Sequence, residues 1–139
     1  MEEFSSFHLD DIKINVVIDC AVKEGKGIVI YDWKTGKSLS EDLSVQLCCY
    51  AFYAIEKWNF PPESLEVVEY NLNSNKANSF SVTMAEVEGI KGYIKGSVKD
   101  MQSLLKDPEN NTPLEEEQFS KVEDERAVGR CNFRKVCRI

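Results

Sequence analysis

Two runs of apolar and β-branched residues, DIKINVVIDC at 11–20 and GIVIYDWK at 27–34, stand on either side of Glu24-Gly25-Lys26. Nothing else in the chain constrains the fold as tightly. β-Branched runs separated by a short glycine-containing turn specify an antiparallel hairpin. If the loop is Glu24 to Gly27, Asp19 falls opposite Asp32. Side chains alternate with period two, so Val17, Asp19 and Ala21 share a face with Ile30, Asp32 and Lys34. Like charges directly opposite each other destabilise a sheet. A cation between them removes the objection.

The rest of the chain supplies helices and a further strand. Ser40-Glu41-Asp42 has the form of a helix start, a capping serine followed by acids in the first turn. From there Leu43, Leu47, Ala51, Ala54 and Trp58 give an apolar stripe at helical spacing, with Gln46, Tyr50 and Tyr53 beside it and Pro61-Pro62 after the end. Residues 65–72, LEVVEYNL, alternate as a strand, and residues 73–79 are polar turn sequence. FSVTM then leads into a second helix over about 83–105. Met84, Val87, Ile90, Ile94, Val98, Met101 and Leu105 line one of its faces, and Lys91, Lys95 and Lys99 another. That lysine row reads first as a solvated helix face and second as a contact for phosphates. Residues 107–139 are a loop-rich tail, so the 139-residue chain is expected to be one domain, residues 1–139, with a tail.

Composition narrows the setting. No apolar run approaches the ~20 residues that span a bilayer, and the acidic start MEEFSSFHLDD has no signal-peptide core, so no membrane partner and a cytoplasmic location are expected. Five cysteines, an odd number, argue against a disulfide framework, although Cys131 and Cys137 look paired in spacing. In that setting the Asn110-Asn111-Thr112 sequon carries no meaning. The net charge of −7 disfavours indiscriminate nucleic-acid or membrane binding through a broad basic surface, while leaving room for a local basic groove.

The triplet Asp32-Trp33-Lys34 is common in proteins, and alone it reads as a solvated strand end with a local ion pair. Its context is less common. The stretches VVIDCAV, IVIYDWKTGK, DLSVQLCCYAFYA and, in the tail, EDERAVGRCNFRKVC together resemble the PD-(D/E)XK nuclease superfamily in its RecB/AddB-like branch. The resemblance implies an α/β, restriction-endonuclease-like core: a small mixed sheet, hairpin plus further strand, flanked by helices. It also implies a metal-dependent DNA nuclease working in recombination, repair or phage DNA processing. Its cofactor is Mg²⁺ or Mn²⁺, its partner DNA as single strands or ends, with a helicase or other module of a larger protein alongside.

The residue types suit that chemistry. Phosphodiester hydrolysis needs a hydroxide at neutral pH and neutralisation of charge on the phosphate, which a divalent metal supplies. Mg²⁺ keeps several waters and is content with one or two carboxylates. As the resemblance implies, Asp19 and Asp32 are the carboxylate ligands, with the Trp33 backbone carbonyl a third. Lys34, on the face of Asp32, would orient or deprotonate the attacking water or offset charge in the transition state. Gln46 and Tyr50, one helical turn apart, border the active site in similar nucleases; otherwise they are a helix polar edge and a core-flanking tyrosine. Lys34 and Lys37 are candidate phosphate contacts, since backbone contacts dominate such affinity.

The pattern departs from its relatives twice. Some of them hold an iron–sulfur cluster through one early cysteine and a late Cys-x2-Cys-x5-Cys; here Cys131 and Cys137 match, Val128 stands where a third is expected, and no cysteine precedes the hairpin. A [4Fe–4S] cluster needs four thiolates, and Cys20 should face away from Asp19, so no cluster is expected and the tail resembles a degenerate cysteine clip. Relatives also have a helix before the hairpin that adds a Glu or His to the metal site. The sole histidine, His8, lies in a strand-like FHL and is expected to be structural. The core thus reads as lacking the N-terminal helix. The alternative function is a catalytically weak or inactive nuclease-fold domain that binds DNA or a protein partner.

Overall fold

The computed structural model describes residues 3–120 and 124–130. By compactness the chain divides into two units, Met1–Val98 and Lys99–Ile139.

The first unit is built on a four-stranded mixed sheet in the order β3-β4-β5-β6. Strands β3 (Cys20–Glu24) and β4 (Gly27–Lys34) form the expected hairpin, with Cys20 opposite Tyr31 and Glu24 opposite Gly27. Gly25 in its turn has φ +59°, a backbone state that glycine adopts without strain. Strand β5 (Leu65–Asn71) lies parallel to β4, Ile28 against Leu65 and Asp32 against Glu69. Helix α1 (Val45–Trp58) connects the two, as parallel neighbours require. Strand β6 (Lys76–Ser81) closes the far edge antiparallel to β5.

The first apolar run does not stay in one strand. Its greater part is β2 (Ile12–Ile18), which pairs with β1 (Glu3–Leu9) in a separate two-stranded ribbon, and Asp19 is the bend between β2 and β3. Val17 therefore belongs to the ribbon, where it is exposed, and does not share the face of Asp32. His8 also lies on this ribbon, exposed and opposite Lys13.

One face of the main sheet carries Ile28, Ile30 and Asp32 from β4 and Leu65, Val67, Glu69 and Asn71 from β5, all buried. Helix α1 packs there and is buried almost all round: Leu47, Ala51, Phe52 and Ala54 are at most 1% exposed. Phe52 meets Phe7 of β1 edge-on at 4.9 Å between ring centres, and Tyr53 meets Phe7 and Trp58 in the same manner at 5.6 and 5.1 Å. The Tyr53 hydroxyl donates to Ser5 Oγ at 2.7 Å, so its polar end is satisfied. Asn59 ends the helix in the left-handed conformation, φ 57°, ahead of the two prolines. On the opposite face of the sheet Trp33 stacks on Tyr31 at 5.4 Å and meets Tyr70 edge-on.

Three local expectations are corrected. Helix α1 begins at Val45 with Ser44 as its cap, the Ser44 Oγ accepting from Leu47 N at 3.3 Å, and not at Ser40. Residues 76–81 are a strand rather than a polar turn followed by a helix approach. Helix α2 (Met84–Gln102) stops short of Leu105, which sits in β7. Of the expected apolar face, Val87 and Ile90 are buried and join the core, whereas Met84 and Met101 are exposed.

The second unit contains a short ribbon of β7 (Leu105–Asp107) and β8 (Thr112–Pro113), a 3₁₀ turn at Glu116–Gln118 and helix α3 (Glu125–Arg130). The side chain and backbone N–H of Asn110, then the N–H of Glu109, bond to Asp107 and hold its carboxyl below the usual range. Cys131 and Cys137 lie outside the described residues. No described helix is long and apolar enough to cross a membrane.

Gly27 is required for the close approach of β4 and β5. A Cβ there would stand 2.7 Å from the Ser64 carbonyl oxygen, a backbone atom that cannot swing aside. Gly96 on α2 has open space around it. Gly27→Ala is therefore expected to destabilise the fold by about 1–3 kcal/mol. Gly96→Ala is expected to stabilise it by about 0.5–1 kcal/mol through helix propensity. Urea midpoints of the two variants check both signs.

Candidate active site

The site forms where β4 ends. Continuing the hairpin register one residue past Cys20–Tyr31 brings Asp19 level with Asp32, as the sequence predicts. Asp19 does not continue the ladder with its backbone. Its Oδ2 accepts the Trp33 N–H at 2.9 Å, a side chain standing in for a strand partner. In an extended strand the N–H and C=O of one residue point to the same edge. The Trp33 carbonyl is thus directed to the edge where Asp19 lies, while Lys34 turns its carbonyl the other way, to Leu72 N at 2.9 Å.

Asp32 is 2% exposed, and its Oδ2 has no hydrogen-bond partner. The Lys34 ammonium nevertheless lies 2.6 Å from that same oxygen. Both observations hold: the contact is an ion pair whose direction is wrong for a hydrogen bond. Charge is balanced, and lone-pair capacity is left over. The Lys34 Nζ spends a hydrogen on Gln46 Oε1 at 2.9 Å, and Gln46 Nε2 donates to the Tyr50 hydroxyl at 2.7 Å. Gln46 and Tyr50 meet because residues four apart on a helix share a face. A chain of contacts thus runs Asp32–Lys34–Gln46–Tyr50.

Tyr50 is buried, and burial holds its hydroxyl above the usual phenol range. The bond from Gln46 works the other way, while the charges of Asp32 and Asp19 and hydrogen bonding to Asp32 add to the rise. Tyr50 therefore stays protonated at neutral pH and keeps an O–H beside two carboxylates. Lys37, the other candidate phosphate contact, sits exposed in the loop that follows β4. In the lysine row of α2, Lys91 pairs with Glu88 at 2.9 Å and lies over the Phe52 ring, and Lys95 pairs with Asp10 at 2.7 Å. Both already have acidic partners within the domain.

The cysteines of α1 are thiols. Burial, then the neighbouring Cys48, pushes Cys49 up to about 11, and burial, then Glu86, raises Cys48.

Sequence reading missed the residues that fasten the loop 35–44 beside the site. Glu69, 1% exposed, accepts from Ser40 N and Ser40 Oγ, both at 2.8 Å. Asn78 Nδ2 donates to Ser40 O at 2.8 Å, Asn71 Nδ2 to Gly36 O at 2.8 Å, and Asn73 Nδ2 to Thr35 O at 2.6 Å. These bonds explain why Ser40 is not a helix cap. A signal was present in LEVVEYNL: Leu65, Val67, Glu69 and Asn71 share one phase, so two polar groups stand in line with apolar ones.

A family model of the PD-(D/E)XK nuclease superfamily matches residues 1–138. The chain belongs to the PD-(D/E)XK nuclease superfamily. No curated protein sequence matches it. Superfamily membership makes the fold restriction-endonuclease-like and the general activity that of a nuclease, with DNA the implied substrate. These nucleases generally use divalent metals. Among the described residues, no three His, Cys, Asp or Glu side chains gather into a ready metal cage. The donor set fits a divalent metal all the same: a buried Asp32 oxygen lacking a hydrogen bond, a second carboxylate level with it on the neighbouring chain segment, and only hard oxygen ligands, which suit an ion that retains much of its water.

The raised Tyr50 hydroxyl gives a pH prediction. A group whose folded pKa lies above its unfolded value, about 10 for tyrosine, contributes stability that is complete below pH ~10 and lost as pH climbs through the folded value. Wild-type protein is expected to lose stability over that alkaline window, and Tyr50→Phe to lose that component of the slope. Urea midpoints between pH 8 and 11, with tyrosinate absorbance in parallel, measure it.

Proposed function

We propose that this chain is a divalent-metal-dependent deoxyribonuclease of the RecB/AddB-like type, acting on single strands or ends of DNA in recombination, repair or phage DNA processing. One observation carries the reading: the buried Asp32 oxygen that lacks a hydrogen bond, beside the Lys34 ammonium and level with Asp19. A structural ion pair is expected to be closed by hydrogen bonds on both partners. This one is not.

In this reading Asp19, Asp32 and the Trp33 carbonyl hold Mg²⁺ or Mn²⁺. When bound, the metal supplies a nucleophilic hydroxide and neutralises charge on the phosphate. The chain's own residues do the rest. Lys34, steered by Gln46 Oε1, presents its ammonium beside Asp32, where it orients a water or meets charge developing on the phosphate. Tyr50 keeps Gln46 in place and holds its own proton near the acids. Lys37 in the exposed loop meets the backbone of the substrate. In this reading the chain works as a module beside a helicase or other partner in the cytoplasm.

Labelled linear and single-stranded DNA incubated with the purified chain and Mg²⁺ or Mn²⁺ tests this. Cutting is expected, with loss on chelation. Asp32→Ala and Lys34→Ala are each expected to lower the rate by about 10²-fold or more, the scale for a positioned catalytic group. Undiminished cutting by both variants would refute the site. Metal binding without cutting would favour the reading in which the domain only binds DNA or a protein.

A further inference from the structure

We infer that Glu69 is a positioning residue, which through Ser40 fixes the loop between β4 and α1 and so sets the Lys34–Gln46 contact. The inference rests on the nuclease reading for its catalytic consequence and on geometry alone for the rest.

Lys34 closes β4 and Gln46 lies in the first turn of α1, with the loop 35–44 between the two elements. A loop of that length is free to close in many ways. The 2.9 Å bond from Lys34 to Gln46 closes across that loop, beyond what the packing of α1 on the sheet fixes for long side chains. Ser40, near its middle, is held at every polar atom it has. Its N–H and hydroxyl bond to the two oxygens of Glu69, and its carbonyl accepts from Asn78. Glu69 and Asn78 face each other across β5 and β6, and Glu69 is in register with Asp32 across β4 and β5. The anchor thus stands on the same sheet as the candidate site, one strand away.

The same bonds separate positioning from ligation. Both Glu69 oxygens are already hydrogen-bonded to Ser40, in contrast with Asp32 Oδ2, which has only its ion pair with Lys34. A clamp of this kind does not need the charge. Glutamine at position 69 can accept the Ser40 N–H through Oε1 and donate through Nε2 to Ser40 Oγ, because a hydroxyl is acceptor as well as donor. Alanine can do neither.

The test uses the full chain, ¹⁵N-labelled, as wild type and as Glu69→Gln, Glu69→Ala and Ser40→Ala, the last changing only a loop side chain should loss of the buried carboxylate unfold the domain. Two readouts need no activity: exchange of the Ser40 backbone amide with deuterium, and the position of the Gln46 side-chain amide resonance. The third is kcat and KM for Mg²⁺- or Mn²⁺-dependent DNA cleavage. Glu69→Ala is expected to speed exchange of the residue-40 amide by about tenfold, the scale of a lost hydrogen bond; Ser40→Ala, which keeps that N–H bond and loses only the hydroxyl bond, is expected to speed it less, and both are expected to shift the Gln46 resonance. They are also expected to lower kcat by about tenfold or more with KM little changed. Glu69→Gln is expected to restore all three toward wild type. A Gln46 resonance that stays put when Ser40 exchange opens overturns the inference, as does a Glu69→Gln variant that falls as far as Glu69→Ala. Wild-type protein that cuts no DNA removes the nuclease reading instead, and the exchange and resonance data still decide the clamp.

Discussion

A carboxylate taken out of water must be given hydrogen bonds or an opposite charge, and the cost of leaving it with neither exceeds the stability of most folds. Among the described residues two are buried, Asp32 and Glu69, side by side on parallel strands under helix α1. They are neutralised by different means. Glu69 accepts two hydrogen bonds from one loop residue, and the loop takes its shape from that demand. Asp32 is met by an ammonium at 2.6 Å outside hydrogen-bonding direction, and one of its oxygens remains unbonded. The first arrangement is closed and serves the fold. The second is left more open, and the proposed function assigns it to chemistry.

The main hairpin was legible because its turn determines its register. With Glu24 against Gly27, every pairing to Cys20–Tyr31 follows, and Asp19 falls level with Asp32 without further assumption. Gln46 and Tyr50 were legible for an equally local reason, the four-residue helical repeat. The bend at Asp19 was not. The residues before it are as apolar and β-branched as those after it, and the break arises from an Asp19 side chain accepting a backbone N–H fourteen residues away.

Distance in sequence explains the other misses too. Ser40-Glu41-Asp42 and Ser44 both precede the helix, and by local rules Ser40, followed by two acids, is the better cap. Glu69, twenty-nine residues on, takes both Ser40 donors and leaves capping to Ser44. Strand β6, KANSFS, is an edge strand with little apolar content, and its pairing depends on β5 more than on its own composition. In each case the signal lay in the partner. A glutamate in phase with Leu65 and Val67 announced that some donor elsewhere in the chain had to reach it.

Under the proposed function, the contrast between the two carboxylates also bears on how one site could be stable and still take up an ion. The partners of Glu69 are a backbone N–H and a short hydroxyl, groups that cannot leave without moving the loop. The partner of Asp32 is a point charge on a flexible four-carbon stem. Its second contact, Gln46 Oε1, lies outside the carboxylate pair. In the proposed reading Lys34 would yield the Asp32 oxygen to a cation of higher charge and keep its hydrogen bond to Gln46 while doing so. The loop anchored by Glu69 would hold Gln46 where the displaced ammonium needs it. A rigid carboxylate next to an exchangeable one would then be a single device, the first keeping the second's lysine within reach.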